Sequence, residues 1–425
     1  MLDIKFIREN VDLVKENIKK KFKNELLEMV DDIIEKDEEY RIFLQQAEKL
    51  RYERNEVSQQ ISELKKKGKD ATELMMQAKN IPEQIFQIEK KSLLLKTDIL
   101  DIQKRIPNII HSSVPIGKDA SDNVEIKKIG KPIVPKYEIF NHAELAERLG
   151  GADFETARET SGKGFYFLKG DLARLSVAMN AFARDYMIKQ GFEYMEPPFM
   201  IRRKVVEGVM SFAERDAMMY KIEGEDLYLI GTSEHPLIGL FMDKTLNKKD
   251  LPFKITGFST CFRKEVGAHG LEERGFYRVH QFNKQEMIII CEPEDSYKWY
   301  DKMLKYTIDV FKALNVPIRI FESCSGDLAD LKAKGCDVEA WSPRQKKYYE
   351  VGSLTNMEEA QARRLNIKIS GKDGKYYAHT LNNTVVATPR ALIAVMENNQ
   401  NKDGSINIPK VLQPYMGGLK KISKK

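Results

Sequence analysis

Phe258-Ser-Thr-Cys-Phe-Arg263-Lys-Glu265 and, shortly after it, Arg274-Gly-Phe-Tyr-Arg278-Val-His280-Gln-Phe282-Asn-Lys-Gln-Glu286 decide how this chain folds. The first is an apolar, strand-like run that ends in an Arg and a Glu. A polar, Gly-containing segment follows. The second run carries an aromatic, Phe282, and a carboxylate, Glu286, at alternating positions. Alternate residues of a strand share a face, so this layout suits a β-hairpin whose one face holds a nucleotide. Arginine can meet a phosphate, phenylalanine can stack on a base, and Glu286 can recognise a small polar ligand.

Further strand-like runs stand at Leu227–Ile230, Phe253–Phe262, Val279–Ile290, Ile318–Phe321, Tyr348–Val351 and Thr384–Ala387. Adjacent runs often lack the long helical crossovers that parallel strands need. The expectation is a mainly antiparallel sheet with flanking helices. One helix is expected behind Asp171 as N-cap, with Leu175, Met179, Phe182 and Tyr186 as its apolar face and Gly191 just past its end.

Upstream the pattern differs. Ile81, Ile85, Ile88, Ser92, Leu95, Ile99 and Ile102 follow one another at alternating spacings of four and three. Tyr40, Phe43, Ala47, Leu50, Val57, Ile61 and Leu64 obey the same rule, with Arg54 in one seam position. Such spacing puts every residue on one narrow helical stripe. Two stripes joined by the Gly-containing turn Lys65–Thr72 make an antiparallel helical hairpin, a coiled-coil arm. Pro82 kinks or starts part of its second helix. Roughly 30 residues per helix give an arm of about 45 Å. The stripes satisfy each other, so the arm can stand in solvent or serve as a dimerisation coiled coil. Its turn carries Lys65, Lys66, Lys67 and Lys69, either a solvated surface turn or a grip on an anion. Residues 1–110 hold 22 Lys+Arg and 22 Asp+Glu, so positive charge there is local. The arm ends at Arg105-Ile-Pro107-Asn108, and 112–136 are rich in Ser, Gly, Pro and Asp. The fold class is therefore α+β, divided into an arm domain (1–110), a linker (111–136) and a mixed domain (137–425).

The chain has 425 residues, 42% hydrophobic and 32% charged, ordinary for a globular protein of two domains. No run of about 18 apolar residues occurs, so no transmembrane helix is expected. The first ten residues carry charges among their apolar side chains, unlike a secretory or transit peptide, and a cytoplasmic location follows by default. Cys261, Cys291, Cys324 and Cys336 stand far apart, so neither zinc nor a disulfide framework is indicated. A net charge of +6 permits an acidic partner without demanding one.

No G-x-x-x-x-G-K-[ST] occurs and no G-x-G-x-x-G follows a strand, so any nucleotide is held without a P-loop or Rossmann turn. Three more stretches carry chemistry. Gly231-Thr232-Ser233-Glu234-His235 offers hydroxyls and a carboxylate, acceptors for an ammonium group, though Ser233 before Pro236 would equally cap a helix. Glu350-Val351-Gly352-Ser353 offers oxygen ligands. In Thr384-Val-Val-Ala387-Thr388-Pro389-Arg390, the Arg opens a helix beside a Pro starter.

Taken in order, these motifs resemble the class II aminoacyl-tRNA synthetases over nearly the whole chain, closest to the seryl-tRNA synthetases. Gln190-Gly191-Phe192 through Pro197-Pro198 is similar to motif 1, the opening hairpin to motif 2, and Thr380 through Gln400 to motif 3. The Ala-Thr-x-Arg form resembles archaeal and eukaryotic members. Departures lie at Gly352, where the family often has Ser or Thr, at Leu354-Thr355, where it has Cys-Ser, and at Ala387–Pro389, where many members have Gly. The resemblance implies catalysis by Arg263 and Arg390. It implies serine binding by Thr232, Ser233, Glu234, Arg263, Glu286 and Thr384. It places ATP on Arg263, Lys264, Glu265, Phe282, Glu350, Val351, Gly352, Ser353 and Arg390, with Mg²⁺ on Glu350 and Ser353. It also implies tRNA(Ser) on the arm through Lys65, Lys66, Lys67 and Lys69, a homodimer through motif 1, and selenocysteine tRNA as an additional candidate substrate. Two other readings are a ligase charging a carrier protein, against which residues 36–105 argue, and an inactive RNA-binding paralogue, against which intact Arg263, Glu286, Glu350 and Arg390 argue.

Overall fold

The computed structural model describes residues 1–265, 275–372 and 374–424. The chain forms two compact units, Met1–Ile109 and Ile110–Lys425.

The first unit is helical: α1 (Ile4–Glu9), α2 (Val11–Lys20), α3 (Leu27–Lys66) and α4 (Thr72–Arg105). Asp3 caps α1 by accepting the Lys5 N–H at 2.7 Å. Helices α3 and α4 form the expected antiparallel hairpin, with Ala47, Val57, Ile81, Ile85 and Ile99 buried in its seam. Arg51 bonds Glu89 across the pair at 2.5 Å, while Arg54, which interrupts the stripe, is exposed. At 40 residues α3 is about 60 Å long, longer than the heptad alone implies. Helix α4 runs through Pro82 without a break. At the turn Gly68 takes φ +65°, a conformation side-chain-bearing residues resist, and lets Lys69 N–H reach Leu64 O at 2.9 Å. Lys65, Lys66, Lys67 and Lys69 are all exposed there. Nearer the base, Asp37 is buried but paired, with Arg8 at 2.6 Å and Arg41 at 3.1 Å.

The second unit is built on an eight-stranded sheet: β1 (Val124–Ile129), β2 (Glu193–Met195), β3 (Phe253–Phe262), β4 (Gln281–Cys291), β5 (Ile318–Glu322), β6 (Lys334–Ser342), β7 (Lys347–Glu358) and β8 (His379–Ala387). Their spatial order is β1-β5-β6-β7-β8-β4-β3-β2. Every pairing is antiparallel except β2 with β3. Helices α5 (Gly170–Lys189), α6 (Glu234–Gly239), α7 (Ser296–Ala313), α8 (Ala360–Leu365) and α9 (Thr388–Asn398) flank it. Strand β4 shows how the layers arise. Met287, Ile289 and Cys291 enter the larger core with α5, α7 and α9. Ile288 and Ile290 enter a second core with Leu237 of α6 and Leu365 of α8. The even-numbered face carries Phe282, Lys284 and Glu286 at its other end, so one strand face is core at one end and cleft at the other.

Three expectations change. Helix α5 starts at Gly170, with Lys169 as N-cap, and Asp171 lies inside the first turn, where its carboxylate accepts from Arg174 at 2.9 Å. Leu227–Leu229 pairs with Met200–Arg202 in a separate two-stranded sheet. Residues 111–136, expected as a linker, contain β1, which pairs with β5 along the edge of the main sheet. Arg274 and the rest of 266–274 lie outside the described residues. Among those described, no helix is long and apolar enough to cross a membrane.

Candidate active site

Strands β4, β6, β7 and β8, the residues that follow β3 and the start of α9 enclose a cleft of about 360 Å³. Thr232, Glu234, Arg263, Glu265, Phe282, Glu286, Glu350, Val351, Gly352, Ser353, Thr384 and Arg390 all line it. Ser233 does not: it is fully buried and its hydroxyl donates to Gly257 O at 3.1 Å. It occupies the N-cap position of α6 without a side-chain capping bond. Lys264 is also outside the lining, its backbone N–H donating to Met218 O at 2.9 Å.

Arg263 follows the last residue of β3. Its Nε donates to Gly231 O at 3.1 Å, and its guanidinium carbon lies 5.3 Å from the Phe282 ring centre. Its backbone is held by His280, through Arg263 N–H to His280 O and His280 Nδ1 to Arg263 O, both at 2.9 Å. Glu265 takes φ +48°, strained for a residue with a side chain, and its carboxylate is 3.6 Å from Arg278. Arg390, in the first turn of α9, bonds Glu350 Oε2 at 2.9 Å and its guanidinium carbon sits 4.9 Å from the Tyr277 ring centre. Two cations thus face one cleft, each fixed from behind by protein acceptors.

Glu286 lies opposite Gly257 on one side and Thr384 on the other. Lys284, two residues earlier on the same strand face, places Nζ 2.6 Å from Glu286 Oε2, with both side chains almost fully buried. Glu234 enters from α6, accepting Gln361 Nε2 at 2.8 Å. Burial, then the neighbouring Glu286 charge, pushes the Glu234 carboxyl up to about 7. Burial, reinforced by Lys284 and Arg263, drives the adjacent His235 down to about 3, so it stays neutral. Burial also raises Glu350, but Arg390 and Arg263 outweigh it and hold that carboxyl below its ordinary value. Asp337, opposite Ser353 in the β6–β7 pairing, is raised by burial and by Glu350.

Gly352 settles one departure noted in the sequence. A Cβ there would lie 3.2 Å from Thr384 Cβ and 3.5 Å from its Cγ2. The first carbon of the Thr384 side chain is the atom a larger residue 352 would crowd. The sequence reading missed Lys284, Tyr277, Arg278, Lys332, Asp337 and Asn382, which also line the cleft. Asn382 Nδ2 is buried without a partner among the described residues. Lys284 was recoverable, since it alternates between Phe282 and Glu286. Among the described residues no three His, Cys, Asp or Glu stand together as a metal cluster.

Comparison with known proteins follows the same lines. Residues 1–110 match the seryl-tRNA synthetase N-terminal domain, and residues 219–399 match the tRNA synthetase class II core domain (G, H, P, S and T). The chain is 45% identical over 422 residues to a serine–tRNA ligase of Methanocella arvoryzae, covering 99% of each. It superposes with a TM-score of 0.95, at 41% identity and over the whole of both chains, on a crystal structure of seryl-tRNA synthetase from Pyrococcus horikoshii complexed with ATP. A cytoplasmic serine–tRNA ligase from Naegleria fowleri in complex with AMP gives 0.89 at 32% identity, covering 100% of this chain and 99% of that one. With its helical arm, its antiparallel sheet and its cleft of paired arginines and carboxylates, the chain belongs to the seryl-tRNA synthetase family.

Proposed function

We propose that this chain attaches L-serine to tRNA(Ser) in two steps. The serine carboxylate attacks the ATP α-phosphorus in line and displaces pyrophosphate. The terminal adenosine hydroxyl of the tRNA then attacks the carbonyl carbon of the seryl-adenylate, forming the ester as the bond to phosphate breaks and AMP leaves with the hydroxyl proton. One observation carries this reading: Arg263 and Arg390 line the same cleft in which Glu234 and Glu286 present buried carboxylates.

The division of labour follows from charge. Arg263 bridges the serine carboxylate and the α-phosphate, holding two anions close enough to react. Phe282 offers its ring to the adenine and Glu265 accepts from the adenine amino group. Arg390 meets the γ-phosphate. Val351 and Gly352 form the floor beneath the phosphates. Thr232 and Glu234 take the serine ammonium, and Glu286, with Thr384 beside it, takes the hydroxyl. Glu350 and Ser353, with Asp337 near, are a hard-oxygen set of the kind Mg²⁺ uses beside phosphates, and they would hold that ion. When bound it would neutralise phosphate charge. Catalysis is otherwise positioning and electrostatics, with no dedicated general base.

The exposed turn Lys65, Lys66, Lys67 and Lys69 would grip tRNA phosphates. Val177 and Ile188, both exposed, lie on one stripe of α5, and Phe167 is exposed nearby in sequence. These apolar residues, all preceding the motif 1 stretch and two of them on the helix that leads into it, support a homodimer there. We place the enzyme in the cytoplasm, which cell fractionation checks.

The first experiment is ATP–pyrophosphate exchange without tRNA, with serine, alanine, threonine and glycine. Exchange with serine alone is expected. A site built to bond the hydroxyl rejects alanine by about 10⁴–10⁵ in favourable cases, because Glu286 would be left without that partner. No exchange with any of the four would overturn the reading. Charging of tRNA(Ser) and of selenocysteine tRNA is then compared directly.

A further inference from the structure

Glu234 does not reach the cleft unsupported. Gln361, on α8, is fully buried and lies outside the cleft lining, so it cannot touch a substrate. Its Nε2 donates to Glu234 Oε1 at 2.8 Å and to Val209 O at 3.1 Å. Its Oε1 accepts from the Thr380 hydroxyl at 2.7 Å. Thr380 belongs to β8, the strand that also carries Thr384. The chain of bonds therefore runs from the sheet, through an amide, to the carboxylate.

The chemistry of that position is narrow. It needs two donors pointing one way and an acceptor pointing the other, which among side chains a primary amide supplies. A flipped amide would set oxygen against two oxygens and nitrogen against the Thr380 hydroxyl, so the orientation is locked. We propose that Gln361 is a positioning residue that aims the Glu234 carboxylate at the serine amino group. The inference rests on the reading of Glu234 as the ammonium contact. Gln361 also favours the ionised carboxylate that an ammonium requires. It does so against burial and the Glu286 charge, with Lys284 and Lys332 acting in the same sense as Gln361 and His235 neutral.

The test uses the full chain in serine-dependent ATP–pyrophosphate exchange between pH 6 and 9, varying serine and ATP separately. Gln361→Leu is expected to raise the serine KM about 10- to 100-fold, the range for a hydrogen bond to a charged group, with the ATP KM within about twofold. The pH at which serine binding improves should move upward. Thr380→Val, which removes only the lock on the amide, should raise the serine KM a few-fold with the same upward displacement, and it decides the matter if Gln361→Leu does not fold. A serine KM unchanged in folded variants would overturn the proposal. So would serine and ATP KM rising together with an unmoved pH profile, the mark of a merely structural role. Glu234→Gln separates the two layers. If it leaves the serine KM unchanged, the reading of Glu234 falls and the proposal with it. If it raises the serine KM while Gln361→Leu and Thr380→Val do not, the Gln361 proposal alone falls.

Discussion

Single side chains in the cleft carry charge that the fold has made costly, and that cost is measurable. Glu234 is raised from 4.5 to about 7 in the folded chain. A carboxyl with a raised folded value favours folding below its unfolded value, and that contribution is lost as pH rises through the folded one. Between about pH 4.5 and 7 the wild-type chain therefore loses stability at this residue. Glu234→Gln should be more stable than wild type by up to about 3 kcal/mol at pH 8 and no more stable near pH 4, which urea denaturation at the two pH values checks. The same variant should bind serine poorly, a trade of stability for function. Arg263→Ala should cut adenylate formation by at least about 10²–10³-fold while filter binding of tRNA stays largely intact. Unchanged exchange in Arg263→Ala would disprove the site assignment. The sequence made Arg263 and Arg390 visible because each stands at a strand or helix end beside an aromatic or a Pro, and Phe282 and Glu286 because they share one face of a strand-like run. Gln361 and Asp337 were not visible. Their roles depend on which strand or helix lies opposite, and no local pattern encodes that.

Elements were legible where their periodicity was strict. The heptads of α3 and α4 made the hairpin and its turn legible, since two apolar stripes joined by a short Gly-containing turn can pack against each other. Strands β6 and β8 show the opposite. Lys334–Ser342 escaped the reading, and β8 was seen only from Thr384, because Asp337 and Asn382 face the cleft, Glu339 pairs with Arg319 on β5 and Asn383 bonds α7, so polar residues interrupt the apolar run. Strand pairing also sets a test between β7 and β8. Gly352→Ala should crowd Thr384 at its Cβ and raise the serine KM about tenfold, which serine-dependent exchange checks. On the arm, replacing Lys65, Lys66, Lys67 and Lys69 with Ala should leave exchange intact. It should weaken tRNA binding and flatten the slope of log affinity against log salt by up to about 3. An unaltered slope would mean that the turn is only a solvated surface.

At the scale of the whole molecule, the exposed apolar stripe of α5 sets a test of assembly. Val177→Asp with Ile188→Asp should convert a dimer to a monomer in analytical ultracentrifugation without unfolding it, because both side chains are already exposed in the single chain. A native dimer untouched by these changes would place the interface elsewhere. The α+β architecture could be anticipated from the sequence, yet the edge of the sheet could not. Strand β1 sits in a stretch whose Gly, Pro and Asp content reads as connection. That strand has a further consequence. Five of its six residues are exposed, Glu125, Lys127 and Lys128 crowd its length, and its pairing with β5 slips register between Glu125 and Lys127. Charge and irregularity make it a poor template for another extended chain. At that edge the sheet resists growth by a neighbouring copy, because its own outermost strand is a poor surface to extend.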